Sequence, residues 1–143
     1  MKVAINRCFG GFSLSHKAIE MLMKRKGFDC YRYKQSKFSF QDGIDEYVRC
    51  DGEIKDDASN LLIRYYTQDF GNKTSELPRG ARWSYEDVER NDTDLISVIE
   101  ELGDDANGKC GDIKVVEIPD DVAWTIEEYD GMESVHEQHR VWC

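Results

Sequence analysis

The chain has 143 residues, 40% of them hydrophobic and 34% charged, with 29 Asp/Glu against 19 Lys/Arg for a net charge of −10. That length fits one domain with a real core, and two prolines with no low-complexity run exclude wholesale disorder. No apolar stretch approaches the roughly 20 residues that span a bilayer, Met1-Lys2 leads straight into Val3-Ala4-Ile5 without a signal-peptide pattern, and a duplex repels a net anion, so neither a membrane span, a leader nor whole-surface nucleic-acid binding is expected.

In chain order, Lys2–Asn6 reads as a short central strand. Ser13 or Ser15 caps a helix whose apolar stripe is Leu14, Ala18, Ile19, Leu22 and Met23. Lys24, Arg25 and Lys26 suit its last turn, and Gly27 before Phe28 suits a left-handed C-terminal cap. Cys30–Lys34 follows as a strand with Tyr31 and Tyr33 on one face. Phe38–Phe40 and Tyr47–Cys50 are short strand candidates, and Leu61–Thr67 is a stronger one by its aromatic and β-branched content. Residues 70–83 read as a loop long enough to serve as a lid, ending at Trp83.

Ser84–Glu89 has the spacing of a capped helical turn. A second principal helix is expected from Thr93 to Ala106, capped by Asp92 or Asp94, with Leu95, Val98, Ile99, Leu102 and Ala106 inward and Asn107-Gly108 as its stop. Ile113–Ile118 and Val122–Tyr129 are predicted to pair as an antiparallel hairpin around Pro119-Asp120-Asp121. Met132–Arg140 reads as a short C-terminal helix, followed by Trp142. The interleaving predicts an α+β fold: a single two-layer domain over 1–143, with a mixed, mostly antiparallel sheet and two principal helices.

Charge is unevenly spread. Residues 1–40 hold nine Lys/Arg against two Asp/Glu, a net of +7, so residues 41–143 carry −17. The basic end contains a Gly-rich strand-to-helix turn, which can hold an anion against backbone N–H groups and a helix N-terminus. The ligand-binding residues expected there are Arg7, Phe9, Gly10, Gly11, Phe12, Ser13 and Ser15. Arg7 offers a fork for phosphate, the serines add hydroxyls, and Phe9, Phe12 or Trp83 can stack on a planar ring. The turn matches neither the Walker pattern nor the dinucleotide fingerprint, and as a plain turn its Phe side chains would enter the core.

Other chemistry is thinly represented. The five cysteines, Cys8, Cys30, Cys50, Cys110 and Cys143, are odd in number and hold no C-x-x-C pair, so reduced thiols are expected rather than zinc or disulfides. His136 and His139 would share a face of the C-terminal helix with Glu133 and Glu137 nearby, the one arrangement that suggests a small hydrolase or phosphodiesterase. No nucleophile elbow or calcium loop occurs, so no catalytic residue, metal or cofactor is assigned. The carboxylate clusters, from Glu86-Asp87-Glu89 to Glu133-Glu137, form a solvated surface or a face for a basic protein.

The stretches that include Asn6-Arg7, Gly10-Gly11-Phe12-Ser13, Glu100-Glu101-Leu102-Gly103, Ile118-Pro119-Asp120 and Glu128-Tyr129-Asp130-Gly131 resemble a family of small phage and prophage proteins of unassigned function. The resemblance covers roughly residues 1–30 and 90–142 and leaves 35–85 as a variable middle. It implies an accessory protein of the host bacterial cytoplasm directed against antiviral defence. Its expected partner is a small anionic ligand such as a nucleotide immune signal, held by a homo-oligomer. The alternative is a basic host defence protein, such as a CRISPR effector or nuclease, that the acidic half would engage as a nucleic-acid mimic.

Overall fold

The structure, a computed structural model, describes residues 1–37, 43–57, 60, 62–109 and 111–137. It is α+β, with two principal helices and, among the described residues, antiparallel strand ladders throughout. The chain packs as two compact units. Unit 1 is Met1–Ala18 with Val88–Cys143, and unit 2 is the intervening Ile19–Asp87.

In unit 1, β1 (Lys2–Asn6) pairs with β7 (Ile113–Glu117), Lys2 opposite Glu117 and Asn6 opposite Ile113. Val3, Ala4 and Ile5 are buried, as a central strand requires, although among the described residues β1 has only this one ladder. Its other edge is satisfied differently. The Ala4 N–H donates to the Arg90 carbonyl at 2.8 Å and the Asn6 N–H to Glu133 Oε1 at 2.8 Å. Helix α2 (Thr93–Leu102) starts where Asp92 accepts a bond from the Leu95 N–H at 3.0 Å. It buries Leu95, Ile96, Val98 and Ile99. Its α-helical part stops at Gly103, whose φ of 57° favours glycine, and a 3-10 turn over Gly103–Ala106 completes the expected span and buries Ala106.

Two expectations fail in this unit. The segments 113–118 and 122–129 do not pair with each other; β7 pairs with β1. Instead β8 (Trp124–Tyr129) pairs with β9 (Met132–Glu137), so the expected C-terminal helix is a strand over its described part. Asp130 and Gly131 adopt φ of 52° and 90°, the two positive values that a tight hairpin turn requires. Alternation then places Ile126 opposite Val135. The remainder of that predicted helix, with Trp142, lies outside the described residues.

Helix α1 (His16–Arg25) begins as expected at Ser15, whose Oγ accepts from the Ala18 N–H at 3.1 Å. It ends at Gly27, with φ of 85° and the Phe28 N–H bonded to the Met23 carbonyl at 2.9 Å.

Unit 2 is built on a five-stranded sheet in the order β5-β3-β2-β4-β6. The strands are β2 (Tyr31–Lys37), β3 (Glu46–Arg49), β4 (Arg64–Tyr66), β5 (Lys73–Thr74) and β6 (Arg82–Trp83). The expected strand at Phe38–Phe40 lies outside the described residues. Tyr33, Tyr66 and Ala81 form a buried cluster, with Tyr31, Tyr47, Phe70 and Leu77 packed against it. Strand order fixes the path of the long 70–83 segment. The chain leaves β4, crosses the sheet to β5 at one edge, and returns to β6 at the other. It is therefore a strap, and short strands replace part of the expected loop.

The strap is held down by its own bonds. The Tyr33 hydroxyl donates to the Gly71 carbonyl at 2.8 Å and accepts from the Phe70 N–H at 2.8 Å. Arg49 donates to Asp69 and Asn72, each at 2.7 Å. The Phe70 ring sits 6.0 Å from Tyr66 at 90°, an edge-to-face contact.

Candidate functional site

The Gly-rich turn between β1 and α1 is largely spoken for by the fold. Asn6, fully buried, donates from Nδ2 to the carbonyls of Cys8 and Gly131, both at 2.7 Å, and accepts at Oδ1 from the Asp112 N–H at 2.9 Å. The Arg7 N–H goes to the Asp112 carbonyl. Phe12 lies under the Arg90 guanidinium, 3.6 Å from the ring centroid. Arg90 also grips Glu133 with two bonds, at 2.6 and 2.9 Å, and the Glu133 side chain is only 7% exposed. Ser13 packs so closely on Gly108 that a Cβ there would stand 2.0 Å from its Oγ. The Ser15 hydroxyl donates to the Asp105 carbonyl at 2.6 Å besides capping α1.

Of the residues expected to hold a ligand, Phe12, Ser13 and Ser15 are thus engaged in packing and bonds within unit 1. Gly11 uses its freedom at φ of 87° to make the turn. Gly10 is exposed, and Arg7 and Phe9 project into solvent, Phe9 with 62% of its surface open. Trp83 belongs to unit 2. Successive residues of a strand point to opposite faces, so Trp83 shares the Tyr65 face of the sheet, away from Arg82. His136 lies on β9, bonded to Ser134 at 2.7 Å and 3.3 Å from Glu127, while His139 is outside the described residues. The strand removes the shared helix face on which a two-histidine site depended. Among the described residues, no group of three or more His, Cys, Asp or Glu is placed to hold a metal.

A different site stands out in unit 2. One face of its sheet carries Arg64 and Tyr66 on β4, Arg82 on β6, Tyr33 and Gln35 on β2 and Tyr47 on β3, as the register requires. With Lys34, Leu62 and the strap residues Leu77 and Arg79, these line a concavity of about 330 Å³. Among the described lining residues none is a carboxylate, and three are arginines; Lys34 borders the concavity from a strand position whose side chain belongs to the other face. Arg82 sits opposite Tyr66 in the ladder, with Arg64 two residues earlier on the same face. Burial raises the Tyr66 phenol above its ordinary pKa, and the guanidiniums of Arg82 and Arg64 oppose that shift.

Pairing marks these arginines out. Arg32, Arg49 and Arg90 each face a carboxylate. Among the described residues, Arg64, Arg79 and Arg82 have none within ion-pair distance, a condition they share with the exposed Arg7 but, unlike Arg7, meet together in one concavity. Like charges gathered without counter-charge repel one another, and an anion bound among them relieves that repulsion.

The fold and site together define an α+β chain with a cationic, tyrosine-lined concavity on one sheet face. No protein-family model, curated protein or solved structure matches it. No helix among the described residues is long and apolar enough to cross a membrane.

Proposed function

We propose that the protein captures a small anionic ligand in the concavity of unit 2 and holds it without turning it over. One observation carries this reading. In a chain with ten more negative than positive charges, Arg64, Arg79 and Arg82 line a single concavity, with no carboxylate among its described lining residues. Guanidiniums present paired N–H donors that match phosphate oxygens, so a phosphorylated ligand suits them best. The described lining residues include no imidazole, thiol or carboxylate to serve as base or nucleophile, which favours capture over catalysis. The resemblance of the terminal stretches to phage proteins supplies the setting. In an infected bacterium, a nucleotide signal of antiviral immunity is a ligand of this chemistry, and holding it idle blunts the response.

Titration calorimetry with inorganic tripolyphosphate tests the reading. Binding to the wild-type chain is expected, with a loss of at least tenfold in affinity for Arg64→Ala and for Arg79→Ala, in line with a charge-assisted contact of about 1.5–3 kcal/mol. Wild-type protein that gives no heat, or variants that bind equally well, would overturn it. Intact nucleotide recovered after incubation and denaturation separates capture from turnover.

A second reading has its own observation. Unit 1 carries seven Lys/Arg against 16 Asp/Glu, a net of −9, which suits docking on a basic host protein. That complex would weaken with salt, and a salt-insensitive complex would count against it.

A further inference from the structure

We infer that the ligand of the unit 2 concavity is a linear nucleoside polyphosphate, one nucleoside carrying a di- or triphosphate chain. The inference rests on the reading of that concavity as an anion site and asks what its two ends require.

The cationic end is set by register. Arg82 stands opposite Tyr66, and Arg64 precedes Tyr66 by two residues on the same face. The two arginines are therefore diagonal neighbours across an antiparallel pair, about 7–8 Å apart at Cα. A pair spaced in this way can straddle successive phosphates of a chain. Arg79 adds a third guanidinium from the strap. Three positive charges match the three or four negative charges of a di- or triphosphate better than the single charge of each phosphodiester.

The other end is not cationic. Tyr47 is on β3, and β2 lies between β3 and β4. Two strand spacings of about 4.8 Å and a two-residue offset at about 3.4 Å per residue put Tyr47 about 12 Å from Arg64 across the sheet. Leu62, 64% exposed, and Leu77 on the strap complete the apolar lining. A bare inorganic anion would satisfy the arginines and leave this aromatic and apolar surface uncovered. A base stacked on Tyr47, joined through its ribose to phosphates at the arginines, covers both ends.

Size then limits the ligand. At about 330 Å³ the concavity lies near the bottom of the range for small-molecule sites. One nucleoside with its phosphate chain suits that volume better than the two nucleosides of a cyclic dinucleotide.

Calorimetry in metal-free buffer compares ATP, GTP, CTP and UTP with inorganic tripolyphosphate, adenosine, cyclic di-GMP and a 5′-triphosphorylated RNA decamer. At least one triphosphate is expected to bind tenfold or more tightly than tripolyphosphate. Adenosine should give no measurable heat, and the decamer should bind more weakly than the best triphosphate because the anionic chain repels it. Tyr47→Leu, and the exposed Leu62→Ser as a variant that spares the core, should each lower triphosphate affinity severalfold and leave tripolyphosphate binding unchanged. Arg64→Ala should weaken both. Equal binding of tripolyphosphate and every nucleotide would leave the anion site standing and remove the nucleoside. Tighter binding of cyclic di-GMP or of the decamer would overturn the linear mononucleotide. Absence of heat with all of these ligands would defeat the inference and the anion-site reading together.

Discussion

Asn6 shows how much structure one side chain can organise. Its carboxamide serves the Cys8 and Gly131 carbonyls and the Asp112 N–H from a fully buried position. An apolar replacement of similar size orphans all three groups, so Asn6→Leu is expected to cost about 3 kcal/mol or more, read as a lower urea midpoint at unchanged slope. Asp69 makes a pH-dependent contribution in unit 2. The Gly71 N–H, and then the Arg49 guanidinium, hold its carboxyl below the usual 3.8. A depressed native pKa means that the ionised form favours the fold. The contribution is present above about pH 4 and is lost as pH falls through the lower native value. Asp69→Asn can keep the bond to Gly71 but not the charge. Thermal melts should therefore show it less stable than wild type at pH 7 and converging with it towards pH 3. Equal melting temperatures at pH 7 would mean that the charge is immaterial. At this scale the sequence is legible where partners are near. Ser15 and Asp92 each cap a helix by accepting from the N–H three residues on, as their positions predict. The expected ligand cradle was less legible because its partners, Arg90, Asp105, Gly108 and Glu133, are remote in sequence.

Elements with a local signal follow the sequence closely: β1 has its predicted bounds, and α1 starts and stops at its predicted caps. The C-terminal segment shows how a local signal can be misread. Asp130-Gly131 was available as a hairpin signal, with Ile126 and Val135 alternating on either side, yet the polar 132–140 stretch also fits a short helix. The hairpin prevails because its turn locks into unit 1. A Cβ on Gly131 would meet the Phe9 carbonyl oxygen at 2.5 Å and the Gly11 nitrogen at 2.7 Å, and φ there is 90°. Gly131→Ala therefore combines left-handed strain with a backbone clash and should cost at least about 2 kcal/mol. Amide exchange should accelerate across 124–137 and in the 8–12 turn together. Acceleration confined to the hairpin would show that the turn does not lean on Gly131. The pairing of β7 with β1 had no such signal, since a ladder between strands more than 100 residues apart is decided by tertiary packing.

Across the whole chain, folding redistributes the charge that the sequence displays. The basic first 40 residues are not a structural unit. Residues 1–18 join the acidic C-terminal part, while 19–40 join a unit with 12 Lys/Arg against 13 Asp/Glu. The N-terminal excess of cations is thereby split, and the arginines of the concavity come instead from 64–82, a segment whose four Lys/Arg against two Asp/Glu make too small an excess to stand out in the linear sequence. Unit 1 is left with a net of −9 and repels itself. Its main internal ion pair, Arg90 with Glu133, is largely shielded from solvent on the carboxylate side, so added salt screens the repulsion more than the bond. Raising NaCl from 10 to 100 mM shortens the Debye length from about 30 to about 10 Å, and the melting temperature should rise by a few degrees. Asp104 and Asp121 are exposed carboxylates that add to the repulsion. The double variant D104N/D121N should melt higher than wild type at 10 mM and show a flatter salt response. A melting temperature that falls as NaCl is added would mean that favourable ion pairs, rather than net charge, govern the stability of this chain.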